Sequence, residues 1–288
     1  MRAVSSVLLA LALGLASAEA APLRIVAAEN FYGDVAEQLG GPEVAVVSIL
    51  SDPDQDPHLF EVGTAAARAV AGAAIVVFNG ADYDPWMEKL LAAAPVAGRE
   101  TIEVAKLVHK TPGDNPHLWY DPATMPAFAD ALTAALARRD PAHAAQYAAR
   151  HARFEAGLKP LMDKVASLRR RYAGTPVTAT EPIFGDMAAA IGLEMRNERF
   201  QRAVTNDTEP SAAAIAAFQS DLRSRAVKAL IYNRQTSEGV TLQMQALARR
   251  SRVPVVGVSE TEPAGTTYQS WMLSELDALE RALGGRMP

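Results

Sequence analysis

Short runs of aliphatic and β-branched residues recur along the chain, separated by stretches in which apolar positions fall three or four residues apart. The runs are Leu23 to Ala27, Val44 to Ile49, Ala74 to Phe78, Pro176 to Ala179, Val227 to Tyr232 and Val253 to Val258. Strand patterns alternating with helical ones predict βαβ units and mostly parallel sheets. Ile75-Val76-Val77-Phe78 and Ala229-Leu230-Ile231-Tyr232 are apolar throughout, as strands covered on both faces are. No strand signal occurs from about Asp140 to Tyr172. There Tyr147, His151, Phe154, Leu158, Leu161, Val165 and Leu168 repeat at helical spacing behind Asp140-Pro141, and Gly174 with Pro176 closes the stretch. That pattern predicts one long helix, with Pro160 inside it as a kink or the cause of an unpaired carbonyl.

The predicted fold class is therefore α/β: two Rossmann-like lobes with mainly parallel sheets joined by one long linker helix. The boundaries read as an N-terminal α/β lobe over 21–139, the linker helix over 140–173 and a C-terminal α/β lobe over 174–288. A helix of about 30 residues spans about 45 Å and resists bending, so large hinge closure between the lobes is not expected.

Residues 1–20 read as a signal peptide. Met1 and Arg2 precede an apolar run from Val7 to Ala16 that ends in Ala18-Glu19-Ala20, the layout of a secretory signal with a small-residue cleavage site. The run is shorter than the roughly 20 residues a bilayer crossing needs. The chain has no cysteine, which excludes disulfides, thiolate metal sites and a lipidated cysteine anchor. A soluble, freely diffusing protein of the periplasm is expected. The formal net charge of -5 argues against nucleic acid as a partner, because phosphate binding depends on clustered Lys and Arg.

Two of the five histidines occur in matched frames, Asp56-Pro57-His58-Leu59 and Asn115-Pro116-His117-Leu118. Proline fixes its own φ and holds the residue before it extended, so each imidazole leaves a stiffened loop, as a metal ligand requires. A neutral imidazole is the commonest side-chain metal ligand, and its second nitrogen is normally oriented by an acceptor such as a nearby Asp. Asp54, Asp56, Asp114 and Asp121 are candidates for that role; the alternative is two ordinary loop histidines. His109, His143 and His151 lie in a polar connection and in the linker region and are assigned no chemistry.

The segment from Asp52 to Glu61, the run into Val77-Phe78-Asn79-Gly80, and Trp86 resemble the first half of the cluster A-I metal-binding receptors. Pro116-His117-Leu118-Trp119-Tyr120-Asp121-Pro122 is similar to that family's second ligand motif, and the likeness extends from about Leu23 to Leu283. The resemblance implies a solute-binding protein that captures a divalent transition metal ion, manganese or zinc, as cargo in the cleft between the lobes. It would deliver that cargo to the inner-membrane permease of an ABC importer, and a monomer is expected. His58 and His117 would be ligands. Glu181, in Thr180-Glu181-Pro182, stands where the resemblance places the third ligand; the plainer reading is a carboxylate at a helix N-terminus.

The fourth family ligand is an Asp after the last strand, and none is present here. Glu260 follows Val255-Val256-Gly257-Val258 most closely and is the choice, while Glu262 fits if Glu262-Pro263 matches the family's Asp-Pro. Asn233 stands where zinc-type relatives carry an acid, either supporting the site or forming a turn. The histidine-rich loop of many zinc-type relatives is absent. Two neutral imidazoles and two carboxylates would balance a divalent ion. Oxygen donors suit manganese, although zinc has the higher intrinsic affinity for nearly any such site. Two alternatives remain open. One is a metal-dependent hydrolase, against which stands the absence of HExxH, GxSxG, P-loop and GxGxxG motifs. The other is a binding protein of the same fold for a metal chelate. An enzyme is not expected.

Overall fold

The structure, a computed structural model, describes residues 21–52, 60–206, 208–235 and 239–284. The expected signal peptide, residues 1–20, and His58 with its Pro57 lie outside the described residues. Among those described, no helix is long and apolar enough to cross a membrane.

The first half alternates strand and helix: β1 Leu23–Glu29, α1 Asn30–Gly40, β2 Val44–Leu50, α2 Thr64–Gly72, β3 Ile75–Phe78, α3 Pro85–Ala93, β4 Glu100–Glu103, α4 Val104–Leu107 and α5 Thr124–Arg139. After α6 (Ala144–Tyr172) the second half begins with β5 Pro176–Ala179, α7 Gly185–Ile191, β6 Glu194–Arg196, α8 Glu198–Thr205 and α9 Ala212–Ser224. It ends with β7 Leu230–Asn233, α10 Gly239–Arg250, β8 Val255–Val258 and α11 Tyr268–Leu283. Each half holds a four-stranded sheet, ordered β2-β1-β3-β4 and β6-β5-β7-β8, and every pairing is parallel, with Ile25 opposite both Val46 and Ile75 and Thr178 opposite both Arg196 and Leu230. The fold is the α/β arrangement read from the sequence.

The strands missed by that reading are β4 and β6. Both are sheet edges, and their Glu-Thr-Ile-Glu and Glu-Met-Arg texts put only Ile102 fully inside. A strand covered on one side has no need of a continuous apolar run.

α6 is 29 residues long and buries Tyr147, Phe154, Leu158, Leu161, Val165 and Leu168 along one stripe. Pro160 does not interrupt it. Both Pro160 and Ala156, whose carbonyl loses its donor, lie on the exposed side, where water can satisfy that carbonyl. The largest hydrophobic core runs from β1 and α1 through Trp119, Tyr120 and α6 into β5, α7 and α11, and each half adds a smaller cluster, around Val26 and Phe78 in the first and around Phe200 and Phe218 in the second. Phe31 meets Trp119 at 4.6 Å and Tyr120 meets Phe184 at 5.3 Å between ring centroids, so rings bridge the two sheets.

In each sheet the chain reverses its direction of winding between the central strands, at β1/β3 and at β5/β7. Open α/β sheets bind ligands at the carboxyl ends of strands at that point. Glu29, Asn79, Glu181 and Asn233 all sit at or just beyond those ends.

Candidate metal centre

His117 opens the short 3-10 turn Leu118–Tyr120 and is fully buried. Its approach is fixed from both sides. Asn79, just beyond β3, donates from Nδ2 to the Pro116 carbonyl at 2.9 Å and accepts from the Tyr32 hydroxyl at 2.7 Å. The ring lies edge-on to Tyr83 and Trp119, with centroids at 6.1 and 5.5 Å. Nδ1 lies 2.7 Å from Asn115 Oδ1, which leaves Nε2 directed at Glu260 Oε1, 3.9 Å away.

Glu181 follows β5 and Glu260 follows β8, and both are buried. Asn233, the last residue of β7, spans them: its Nδ2 donates to Glu181 Oε2 at 3.2 Å and to Glu260 Oε1 at 2.5 Å. The other Glu260 oxygen accepts from the Tyr83 hydroxyl at 2.8 Å, and the Glu260 backbone N–H donates to Gln235 Oε1. Asn233 also accepts from the Gln235 N–H at 3.0 Å, so the supporting role and the turn role read from the sequence coincide in one residue.

Of the sequence-derived candidates, Glu181 and Glu260 share the Asn233 amide and His117 faces Glu260 at 3.9 Å, while the fourth, His58, lies outside the described residues. Glu262 does not join them. Its backbone N–H and carbonyl pair with the Asn30 side chain on α1, at 3.0 and 2.7 Å. Burial, with Asp34 adding to it, pushes its carboxyl up to about 9, and its backbone ties this loop to the first lobe.

Among the described residues no group of three or more His, Asp and Glu side chains is gathered closely enough to hold a metal ion. The gap is small. Two donors each about 2.1 Å from one ion at the tetrahedral angle stand about 3.4 Å apart, against the 3.9 Å between His117 Nε2 and Glu260 Oε1. The amide of Asn233 lies between the two carboxylates and screens their repulsion by hydrogen bonding.

Tyr83 has no counterpart in the sequence reading. It reaches the cleft from a turn in which Gly80, Ala81 and Asp82 all have positive φ (77°, 51° and 64°), a run that non-glycine residues adopt only when their surroundings hold them there. The clamp is Asp84, whose carboxylate accepts from the Asn79 and Gly80 N–H groups at 2.7 and 2.8 Å. Burial raises Asp84 to about 6. Burial also pushes the adjacent Glu29 well above the usual carboxylate range, and Asp84 reinforces the shift. The Asn-Gly pair after a strand was the available signal for this turn. Nothing local announced the tyrosine's destination, since its partner lies 177 residues away in sequence.

The chain is similar to the high-affinity zinc uptake system protein ZnuA of Paracoccus denitrificans, with 24% identity over 260 residues covering 76% of this chain and 78% of that protein. Its fold matches the periplasmic zinc binding protein TroA from Treponema pallidum with a TM-score of 0.73 at 18% identity, covering 92% of this chain and 99% of the other. It also matches a manganese-bound variant of the periplasmic metal binding protein from Candidatus Liberibacter asiaticus with a TM-score of 0.74 at 16% identity, covering 91% and 99%. The model of one protein family matches residues 25–282, nearly all of the chain beyond the expected signal, and the chain belongs to that family, the periplasmic component A of the zinc-uptake complex (ZnuA).

Proposed function

We propose that this chain captures one manganese or zinc ion between its lobes and delivers it to the permease of an ABC importer in the inner membrane. Its family consists of metal-binding transport receptors rather than enzymes. The observation that carries the reading is the meeting of His117 Nε2 with the Glu260 carboxylate at 3.9 Å, in a buried cleft where Asn233 draws Glu181 to the same point. The proposed ligands are His58, His117, Glu181 and Glu260. Two neutral imidazoles and two carboxylates neutralise a divalent cation, so the loaded centre is tolerable in a low-dielectric interior. Two carboxylate donors favour manganese by hardness, while zinc binds any such set more tightly, so the ion carried depends on geometry and supply. We further propose that residues 1–20 are removed on export, that the protein acts in the periplasm as an unlipidated monomer, and that it has no nucleic-acid partner.

The test is calorimetric titration of the metal-stripped mature chain with manganese and with zinc. One ion per chain is expected. His117→Ala and Glu260→Gln should each weaken binding about tenfold or more, while His143→Ala, which removes only a half-exposed contact to Asp140, should leave it unchanged. No stoichiometric uptake, or equal losses in all three variants, overturns the reading.

A further inference from the structure

The carboxamide of Asn115 touches both lobes. On one side its Oδ1 lies 2.7 Å from His117 Nδ1 and 3.4 Å from the His117 backbone N–H. On the other, its Nδ2 donates across the cleft to the Pro182 carbonyl at 3.0 Å and to Asp186 Oδ2 at 3.4 Å. We infer that Asn115 is the positioning residue through which the C-terminal lobe sets the tautomer and aim of His117, so that ion affinity depends on the lobes being apposed at this point. The inference rests on the metal-binding reading above.

A carbonyl oxygen only accepts, so the Asn115 edge that faces Pro182 must be its NH2 group. Reversing the amide would set oxygen against oxygen at Pro182. The Asn115 edge that faces His117 is then an oxygen, and it requires a proton on Nδ1. A neutral imidazole carries one such proton, so Nε2 keeps its lone pair, and Nε2 is the nitrogen directed at Glu260. A backbone group of one lobe thereby selects which nitrogen of a side chain in the other can bind an ion. Pro182 directly follows Glu181, so the same bond ties the support of His117 to the backbone next to a second proposed ligand.

Two features show how closely this contact is built. A Cβ added at Gly185 would stand 3.2 Å from Asn115 Nδ2, so the backbone of α7 approaches the amide about as nearly as glycine allows. Asp186, beside it, is held by Lys110 of the first lobe at 3.4 Å, which keeps a carboxylate facing the Asn115 donor. A hydrogen bond serving stability alone would need neither the oriented oxygen on His117 nor this approach.

The experiment is a double-mutant cycle read by calorimetric titration of the metal-stripped mature chain with manganese and with zinc, with the melting temperature in chelator as a control for folding. Asn115→Ala should weaken binding about tenfold or more, the usual cost of losing the group that orients a ligand. Gly185→Ala displaces the amide from the opposite lobe without touching His117. It should weaken binding about threefold in the parent and add nothing in the Asn115→Ala background, with the metal-free melting temperature unchanged. Asn115→Asp keeps an oxygen for Nδ1 but sets its second oxygen against the Pro182 carbonyl and Asp186, so it too should bind more weakly than the parent. A parent that binds while Asn115→Ala binds equally well, a Gly185→Ala effect that adds in full to Asn115→Ala, or Asn115→Asp as strong as the parent overturns this inference alone. A parent that takes up no ion overturns it together with the metal-binding reading.

Discussion

On the N-terminal side of the cleft His117 stands among rings, with Tyr83 and Trp119 centroids at 6.1 and 5.5 Å and Phe31 packed behind Trp119 at 4.6 Å. On the C-terminal side Glu181 and Glu260 are held by amides: Asn233 bridges them, and Gln235 accepts from the Glu260 backbone. Close-packed rings have one arrangement, and displacing them opens a void. Hydrogen bonds to a carboxylate can be exchanged for others, or for a cation, at little geometric cost. The surroundings of His117 are therefore fixed by packing, while the two carboxylates are held by exchangeable hydrogen bonds.

The sharpest way to break this contrast is to remove a ring. Trp119→Ala should cost about 3–5 kcal/mol of stability, the usual penalty for deleting a fully buried large aromatic, measured by urea unfolding of the metal-free chain. It should also weaken ion binding, because His117 loses its wall; a loss below about 1 kcal/mol would mean that packing does not hold this side. Asn233→Ala tests the other side. Leaving two buried carboxylates without their shared donor should cost about 2–3 kcal/mol, and saturating ion should restore most of it. A deficit of the same size with and without ion would contradict the exchange of amide for cation.

The smallest effect concerns the seam between the sides. Glu275 on α11 accepts from the Tyr120 hydroxyl, the Trp271 indole and the Ser259 N–H at 2.7, 2.9 and 3.1 Å, and burial pushes it up to about 7 from an ordinary 4.5. The folded chain therefore holds this proton to a higher pH than the unfolded chain does. Its stabilising contribution is complete below about pH 4.5 and is lost as pH rises through about 7. In chelator, the parent should lose on the order of 1–2 kcal/mol relative to Glu275→Gln between pH 5 and pH 8. A constant difference between the two proteins would show that the carboxyl does not titrate in that window.

Much of the architecture was legible because it depends on near-neighbour patterns. Pro176 to Ala179 matches β5 residue for residue, and the helical repeat from Tyr147 to Leu168 marks the buried stripe of α6. β4 and β6 escaped because edge strands can be half polar. His117 stood out through its proline frame, whereas Glu181 and Glu260 stood out only through resemblance, since a lone Glu after a strand has no local mark. In the sequence Glu260 ranks above Glu262 for its nearness to the strand end, with Glu262 kept as the alternative, because the contacts that separate them, Glu260 to Asn233 and the Glu262 backbone to Asn30 of α1, leave no mark in the local sequence. Asn115, Tyr83 and Asn233 act through partners far along the sequence, and no pattern within a window of a dozen residues carries that information.

The core shared by both sheets and α6 has a consequence for how the protein comes apart. Each half also has a smaller apolar cluster of its own, but the largest cluster is common to both, so heating or urea should dissolve them in a single cooperative transition, with coincident loss of tryptophan fluorescence and helical signal. A chain that melts as one unit has no half-unfolded form in which only one wall of the cleft survives. On the proposed reading, release of an ion then falls to small rearrangements around it.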